Sequence, residues 1–325
     1  MLILSGHDID ECLPMEVAIA AMREAFAAVS SNDIEMPERV SIPLGDGSKL
    51  ALFMPAYVKN SSSVSVKSVT FIPDNGSRGL PSVQSIVQVF DSLTGSPVAL
   101  IDGSRLTAIR TAAAGGASVQ LLARANSHSL AMLGSGTQAR AGIEAACNAR
   151  DIQSIRLFSP TEANARKLAD DLSRHEWCPA VRVTSDPDEA VRGADIVWTA
   201  TTSSVPTFSE TSIIPGTHIV GVGSFQPSMI EISPSLFKSA SIFVDQVDAC
   251  WSEAGEVIAA RAAGFIDPDD VHELGAVELG DHPGRDHDDE VTIFKSVGIA
   301  IQDAVASTIA LDAARSRGIG VTVSM

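Results

Sequence analysis

Between Ser129 and Ala139 the chain reads Ser-Leu-Ala-Met-Leu-Gly-Ser-Gly-Thr-Gln-Ala. The run Leu130 to Leu133 has the length and composition of a buried strand, and a helical pattern continues through Ala146. Between them lies Gly134-x-Gly136-x-x-Ala139, the spacing of a strand, a tight turn and a helix N-terminus. Gly134 permits the turn, Gly136 lets a pyrophosphate reach the backbone, and Ala139 is small enough for helix to lie on strand. The first N–H groups of the helix and its positive dipole end then attract phosphate. The chemistry implied is dinucleotide binding at Gly134, Ser135, Gly136, Thr137 and Gln138; taken alone, the motif is equally compatible with a packed turn.

A second signal concerns the ribose. In NAD enzymes an acid roughly 20 positions beyond the glycine motif binds the 2′-hydroxyl. Here the next strand, Ile155 to Phe158, ends in Ser159-Pro-Thr161-Glu162. Ser159 occupies the tip, and the Ser159 and Thr161 hydroxyls can donate to a 2′-phosphate that a carboxylate would repel. This predicts NADPH as the preferred cofactor, with NADH possible. Glu162 argues the other way, and Arg156 and Arg166 stand off the tip.

These residues need rigid supports. The chain opens with a short strand (Leu2 to Leu4) and a helix from about Pro14 to Ser30, with apolar residues at helical spacing. Residues 38–58 alternate in β fashion around Gly45-Asp46-Gly47, and strands follow at Val64–Phe71, Val83–Phe90 and Pro97–Ile101. A small-residue helix spans about Gly103 to Ala123. Thereafter β and α patterns alternate, with strands at Leu130–Leu133, Ser154–Ser159, Val181–Thr184, Asp195–Ala200, His218–Val222 and Ser241–Asp245. Helices near Ser252–Ala263 and Val297–Arg315 close the chain. The expected fold class is α/β. A Rossmann-type doubly wound parallel sheet over 119–298 accompanies a β-rich domain over 1–118, which a C-terminal helix, 299–325, completes.

Composition narrows the partners. With 40 acidic against 23 basic residues the net charge is −17, which disfavours nucleic acid. An anionic substrate must then be held by particular buried cations, not by general attraction. No apolar run is long enough to span a membrane, and the start lacks the basic region and apolar core of a signal peptide. Cys12, Cys147, Cys178 and Cys250 lie far apart without metal spacing, as expected of free thiols in a reducing cytoplasm. The polar stretch 280–290 holds His282, His287, Asp288 and Glu290, which reads as a solvated acidic loop, so no metal is expected.

Several blocks in order resemble the ornithine cyclodeaminase/mu-crystallin family. They are Lys67-Ser-Val-Thr, Gly79-Leu-Pro-Ser82, Phe90-Asp-x-x-Thr-Gly95, Arg110-Thr-Ala-Ala-Ala, the glycine turn, and Val291-Thr-Ile-Phe-Lys-Ser-Val-Gly298. The resemblance implies a β-rich substrate and dimerisation domain beside a Rossmann domain, and a homodimer whose β domains associate. It implies that Arg39 and Lys67 hold a substrate carboxylate and that Arg110 touches both carboxylate and cofactor. Lys67, flanked by valines, and Arg110, in an Ala/Gly run, sit where solvent-facing cations are unnatural. It further places Ser82, Thr111, Thr201, Thr202, Gly223 and Ser296 at the cofactor and Val297 at the substrate.

One departure bears on the reaction. Cyclodeaminases carry an Asp as proton acceptor in a Gly-Gly-Asp-Cys-Pro-Gly-Lys block. The matching stretch here is Gly221-Val-Gly-Ser-Phe225-Gln-Pro227-Ser-Met229, with Phe225 at the Asp position. Phe accepts no proton, whereas ketimine reductases also lack this Asp and share the later Pro227 and Glu231. The expected activity is therefore NAD(P)H-dependent reduction of Δ1-pyrroline-2-carboxylate or Δ1-piperideine-2-carboxylate to proline or pipecolate. Lys67 would donate the proton, and Phe225 and Val297 would line the substrate. Ornithine cyclodeaminase, an amino-acid dehydrogenase and a non-catalytic ligand binder of mu-crystallin type are the alternatives.

Overall fold

The β alternation read from the sequence builds the first part of the chain. In the computed structural model, which describes residues 1–324, the strands are β1 (Leu2–Leu4), β2 (Ile34–Glu35), β3 (Val40–Leu44), β4 (Lys49–Val58), β5 (Ser63–Phe71), β6 (Val83–Asp91) and β7 (Pro97–Asp102). Before β2 come α1 (Gly6–Cys12) and α2 (Met15–Ser30). Helix α1 was not anticipated, yet Ser5 and Asp8 close a capping box at its start, with Ser5 N donating to Asp8 Oδ2 at 2.8 Å. Helix α2 follows Pro14 and buries Ala18, Ile19, Met22, Ala25, Phe26 and Val29, the one-sided stripe that its spacing required.

Helix α3 (Gly103–Leu122) follows, and contacts divide the chain within it: one unit is Met1–Arg110 with the segment from Ile299 onward, the other Thr111–Gly298. The small residues of α3 have a packing reason. A Cβ at Gly115 would fall 2.3 Å from the buried Trp198 ring.

The second unit alternates strands with helices: β8 (Ser129–Leu133), α4 (Thr137–Ala149), β9 (Ser154–Phe158), α5 (Glu162–Leu172), β10 (Val181–Thr184), α6 (Pro187–Val191), β11 (Ile196–Thr199), β12 (His218–Gly221), β13 (Ser241–Val244), α7 (Val247–Glu253), α8 (Gly255–Ala262), β14 (Val271–Glu273), α9 (Leu274–Leu279) and β15 (Thr292–Lys295). Every pairing is parallel, in the order β10-β9-β8-β11-β12-β15-β13-β14. The order reverses between β8 and β11, which makes the carboxyl ends of those strands the ligand-binding end of this sheet. The doubly wound expectation holds, but with eight strands and not six. The added β14 and β15 are three and four residues long. Strands β1 and β10 to β13 are equally short, so length alone does not hide them; β14 carries His272 and Glu273, and β15 ends in a fully buried Lys295, so neither reads as an apolar run.

Helix α10 (Ala300–Arg317) and β16 (Val321–Thr322) return to the first unit. The C-terminal segment is thus not one helix to its end: α10 stops at Gly318, in the left-handed region at φ 67°, and β16 pairs antiparallel with β1. Position 325 lies outside the described residues. The first sheet runs β16-β1-β7-β6-β5-β4-β2, with β3 also on β4, and α10 packs on α2, β4 and β5. One face of this sheet, including Met54, Ala56, Val87 and Val89, is buried. The opposite face is not. The cross-strand row Val40, Phe53, Ser68, Ile86 leaves Val40, Phe53 and Ile86 55%, 38% and 41% exposed.

Candidate functional site

In the first unit, β5 places Lys67 in register with Met54 and Val87, on the buried face. Lys67 Nζ lies 2.6 Å from Asp303 Oδ2, and Arg110 Nε donates to Asp303 Oδ1 at 3.1 Å. Arg110 also donates through Nη1 to Gln302 Oε1 at 2.6 Å, and Ile299 N donates to that same oxygen at 3.1 Å. Asp303 and Gln302 are fully buried in the first turn of α10. One helix end therefore holds two cations that come from a strand and from another helix. Burial brings the Lys67 amine down to about 8, the charges of Arg110 and Arg39 push the same way, and Asp303 opposes them. Lys67, Arg110 and Asp303 together retain one positive charge, suited to an anionic group that leaves water. The Gln302 amide nitrogen is buried without a hydrogen-bond partner among the described residues. A carboxylate at this cluster would satisfy such a donor. Arg39 is half-buried just before β3. Ser82 stands half-buried ahead of β6, its carbonyl accepting Ile72 N at 2.8 Å.

The second unit assembles the phosphate turn. Gly134 has φ 120°, and a Cβ there would lie 2.4 Å from Ala200 O, so neither the conformation nor the space admits a side chain. Gly136 differs: its φ is −86°, and a Cβ would meet nothing within 4 Å. Protein packing does not require a glycine at 136; the close approach of a ligand phosphate would. Gly136 is also the N-cap of α4 and brings no side chain to cap it, leaving Thr137 and Gln138 in an open first turn. The Gln138 side-chain oxygen is buried and unpartnered among the described residues. These features fit a dinucleotide. Ser135 Oγ donates to Ser159 Oγ at 2.9 Å, tying the turn to the tip of β9, and Thr161 is the exposed N-cap of α5. Thr111 is buried in α3, whereas Thr202 is exposed beyond β11.

The loops at the neighbouring strand ends are held by buried carboxylates. Glu231 accepts from Thr201 N and Oγ1, Gly223 N and Ser224 N. Asp245, at the end of β13, accepts from Ser296 Oγ at 2.7 Å, Val297 N at 3.1 Å and Gly298 N at 2.8 Å. Phe225 is half-buried and packs on the apolar core of this unit, and its side chain carries no proton acceptor.

The model of the ornithine cyclodeaminase/mu-crystallin family matches residues 1–318. The chain belongs to this family. Among its relatives is a Δ1-pyrroline-2-carboxylate reductase of Bacillus cereus, 34% identical over 322 residues, 98% of each chain. Among solved structures, the Thermococcus litoralis Δ1-pyrroline-2-carboxylate reductase in complex with NADH and L-proline has a TM-score of 0.95. It is 32% identical and covers 99% of this chain and 100% of its own. An archaeal alanine dehydrogenase dimer with bound NAD reaches a TM-score of 0.93 at 30% identity, covering 100% and 99%.

Spacing led to the glycine turn and family motifs to the cations, but neither led to Asp303, Gln302 or Asp245. Asp303 left one trace in the sequence, an acid inside an Ala/Ile-rich helix; nothing local marked its partners, which are distant in sequence. In the 280–290 stretch Asp281, Asp286, Asp288 and Asp289 are exposed, as a solvated acidic loop requires, but the loop is also anchored. Arg285 Nε donates to Leu122 O at 2.7 Å, and His282 is half-buried, its ring 4.3 Å from that of His272. Among the described residues no group of three or more His, Cys, Asp or Glu is placed to hold a metal ion.

Proposed function

We propose that this chain is a nicotinamide-dependent imino-acid reductase that converts a small cyclic imino acid, Δ1-pyrroline-2-carboxylate or Δ1-piperideine-2-carboxylate, to L-proline or L-pipecolate. The observation that carries the reading is Lys67, buried, paired with Asp303, and brought down to about 8. Such an amine holds a proton at neutral pH and gives it up readily, as protonation of an imine nitrogen requires. Arg39 and Arg110 offer charge-assisted hydrogen bonds to the substrate carboxylate and fix the imine in one orientation. Positioning of this kind supplies up to about 7–11 kcal/mol in the best intramolecular cases. When bound, the reduced nicotinamide supplies the hydride that the imine carbon takes. Ser82, Thr111, Thr201, Thr202, Gly223 and Ser296 are assigned to cofactor contacts, Phe225 and Val297 to the substrate side. Phe225 favours imine reduction over ornithine cyclisation, because it cannot take up the amine's proton. The names borne by the Bacillus and Thermococcus relatives point the same way.

For the cofactor we favour NADPH, with NADH possible. No carboxylate stands at Ser159, and the nearest acid, Glu162, accepts from Arg166 Nε at 2.8 Å and is thereby part-neutralised. The solved relatives described above hold NADH or NAD, so the preference is open to direct test. The apolar row Val40, Phe53 and Ile86 on the first unit supports a homodimer through that face. The widely spaced cysteines support a cytoplasmic placement. No helix of the described residues is long and apolar enough to cross a membrane.

The deciding experiment follows nicotinamide oxidation with both cyclic imino acids, and with pyruvate plus ammonia or methylamine, using NADH and NADPH in parallel. Turnover of a cyclic imino acid with higher kcat/KM for NADPH is expected. Turnover of pyruvate and ammonia alone would make the chain an amino-acid dehydrogenase. Cofactor binding without any turnover would make it a ligand binder.

A further inference from the structure

Glu231 is fully buried just beyond the β12 loop, and its own backbone is already fixed. Thr207 N and Thr207 Oγ1 donate to its carbonyl at 2.8 and 2.9 Å, and Ile230 N donates to Ser203 O at 2.9 Å. From that anchored position the carboxylate serves two loops at once. Oε1 accepts Thr201 N at 2.6 Å and Thr201 Oγ1 at 2.8 Å, from the loop after β11. Oε2 accepts Gly223 N at 2.7 Å and Ser224 N at 3.0 Å, from the loop after β12. The loops are in contact: a Cβ at Gly223 would lie 2.3 Å from Thr201 O and 2.5 Å from Glu231 Oε1. On the other side of the same turn, Lys295 Nζ donates to Ser224 O at 2.6 Å and Ser224 Oγ at 2.7 Å. Ser224 Oγ in turn donates to Glu256 Oε2 at 2.6 Å.

We infer that Glu231 is a positioning residue of the cofactor site, clamping the β11 and β12 loops at the carboxyl end of the sheet so that Thr201 and Gly223 stand where a dinucleotide needs them. The inference rests on the dinucleotide-binding reading proposed above. Four donors converge on two oxygens, so every acceptor position has a use and a carboxyl proton would have to face one of those donors. Burial and the neighbouring Glu256 charge push this acid up, and the Lys295 charge and the Thr201 hydrogen bonds oppose them in part; the four donors match a carboxylate, which only accepts. Glutamine cannot replace it, since its amide N–H₂ would face either the Thr201 pair or the Gly223/Ser224 pair.

The test compares wild type, Glu231→Gln and Glu231→Asp by direct titration with NADH and NADPH, beside steady-state kinetics. Glu231→Gln is expected to weaken dinucleotide binding roughly tenfold or more, the scale of one buried donor pair left unsatisfied. The KM for the imino acid should change much less. Glu231→Asp, with the charge but one methylene fewer, should recover part of the affinity. Should Glu231→Gln fail to fold, Thr201→Val removes one bond of the clamp and is expected to weaken dinucleotide binding by a smaller factor. Native dinucleotide affinity in Glu231→Gln, or equal losses for dinucleotide and imino acid, would overturn the inference. A wild-type chain that binds neither dinucleotide would instead remove the reading beneath it, and the clamp with it.

Discussion

Replacing Asp303 with Asn tests the proposed proton donor at its source. The substitution keeps the shape of the side chain and removes its charge. Asp303 Oδ2 lies 2.6 Å from Lys67 Nζ, and Asp303 is the group that raises the Lys67 pKa against burial, Arg110 and Arg39. Two unit charges at that separation attract by about 1.6 kcal/mol even at the dielectric of bulk water, and more inside a protein. At about 1.36 kcal/mol per pKa unit, the Lys67 amine falls by at least about one unit. Donation requires the protonated amine, so in the wild type kcat/KM should decline as pH rises through about 8. In Asp303→Asn the same decline should begin at least about one pH unit lower. The assay is the pH profile of kcat/KM for one cyclic imino acid with both proteins, so that the substrate's own titration is common to both. Binding of the substrate carboxylate should not weaken, because Asn removes the anion that competes for Arg110. A profile that stays in place or moves to higher pH would refute the assignment of Lys67 and Asp303. Loss of the counter-charge should also cost about 3–5 kcal/mol of stability, read from denaturant unfolding of the same preparation.

Other outcomes follow from the same geometry. Lys67→Met should cut kcat by about two orders of magnitude or more while changing NADH affinity little; unchanged kcat would remove Lys67 from the chemistry. Gly136→Ala should alter stability by less than about 1 kcal/mol, since its Cβ enters open space, yet weaken dinucleotide binding about tenfold. Gly134→Ala should do the reverse, costing about 3 kcal/mol or more in unfolding experiments through its φ of 120° and the clash with Ala200 O. If the proposed homodimer forms through this face, Phe53→Asp should shift it toward monomer in sedimentation, because it sets a charge in the middle of the exposed apolar row; an unchanged dimer would place the interface elsewhere.

Local rules made part of this molecule readable. Strand β1 and helix α2 followed from short-range pattern, and the Gly134–Ala139 turn from spacing alone, because each depends on residues within one turn or one strand of each other. The sheet extends further where strands carry polar residues, as in β14 with His272 and Glu273 and β15 with the buried Lys295. Helix α10 shows a different limit. It buries Gln302, Asp303 and Ser307 along with its alanines, so no clean apolar stripe announces what it packs on. Asp303 gains its role only through Lys67 and Arg110, far away along the chain, and Glu231 through loops that converge only when the parallel sheet is complete. Separation in sequence, not weak chemistry, kept these residues out of reach.

The return of α10 to the first unit has a consequence for the order in which the protein matures. The second unit is contiguous and can fold as soon as Gly298 has been synthesised. The first unit cannot finish then: its helix α10 and strand β16 are still to come, and Val323 must exchange hydrogen bonds with Met1 at 2.9 and 3.0 Å. Until residue 303 emerges, Lys67 and Arg110 lack the carboxylate that makes their burial tolerable. The proposed proton donor is thus made more than two hundred residues ahead of its counter-charge and becomes competent only once Asp303 has joined it.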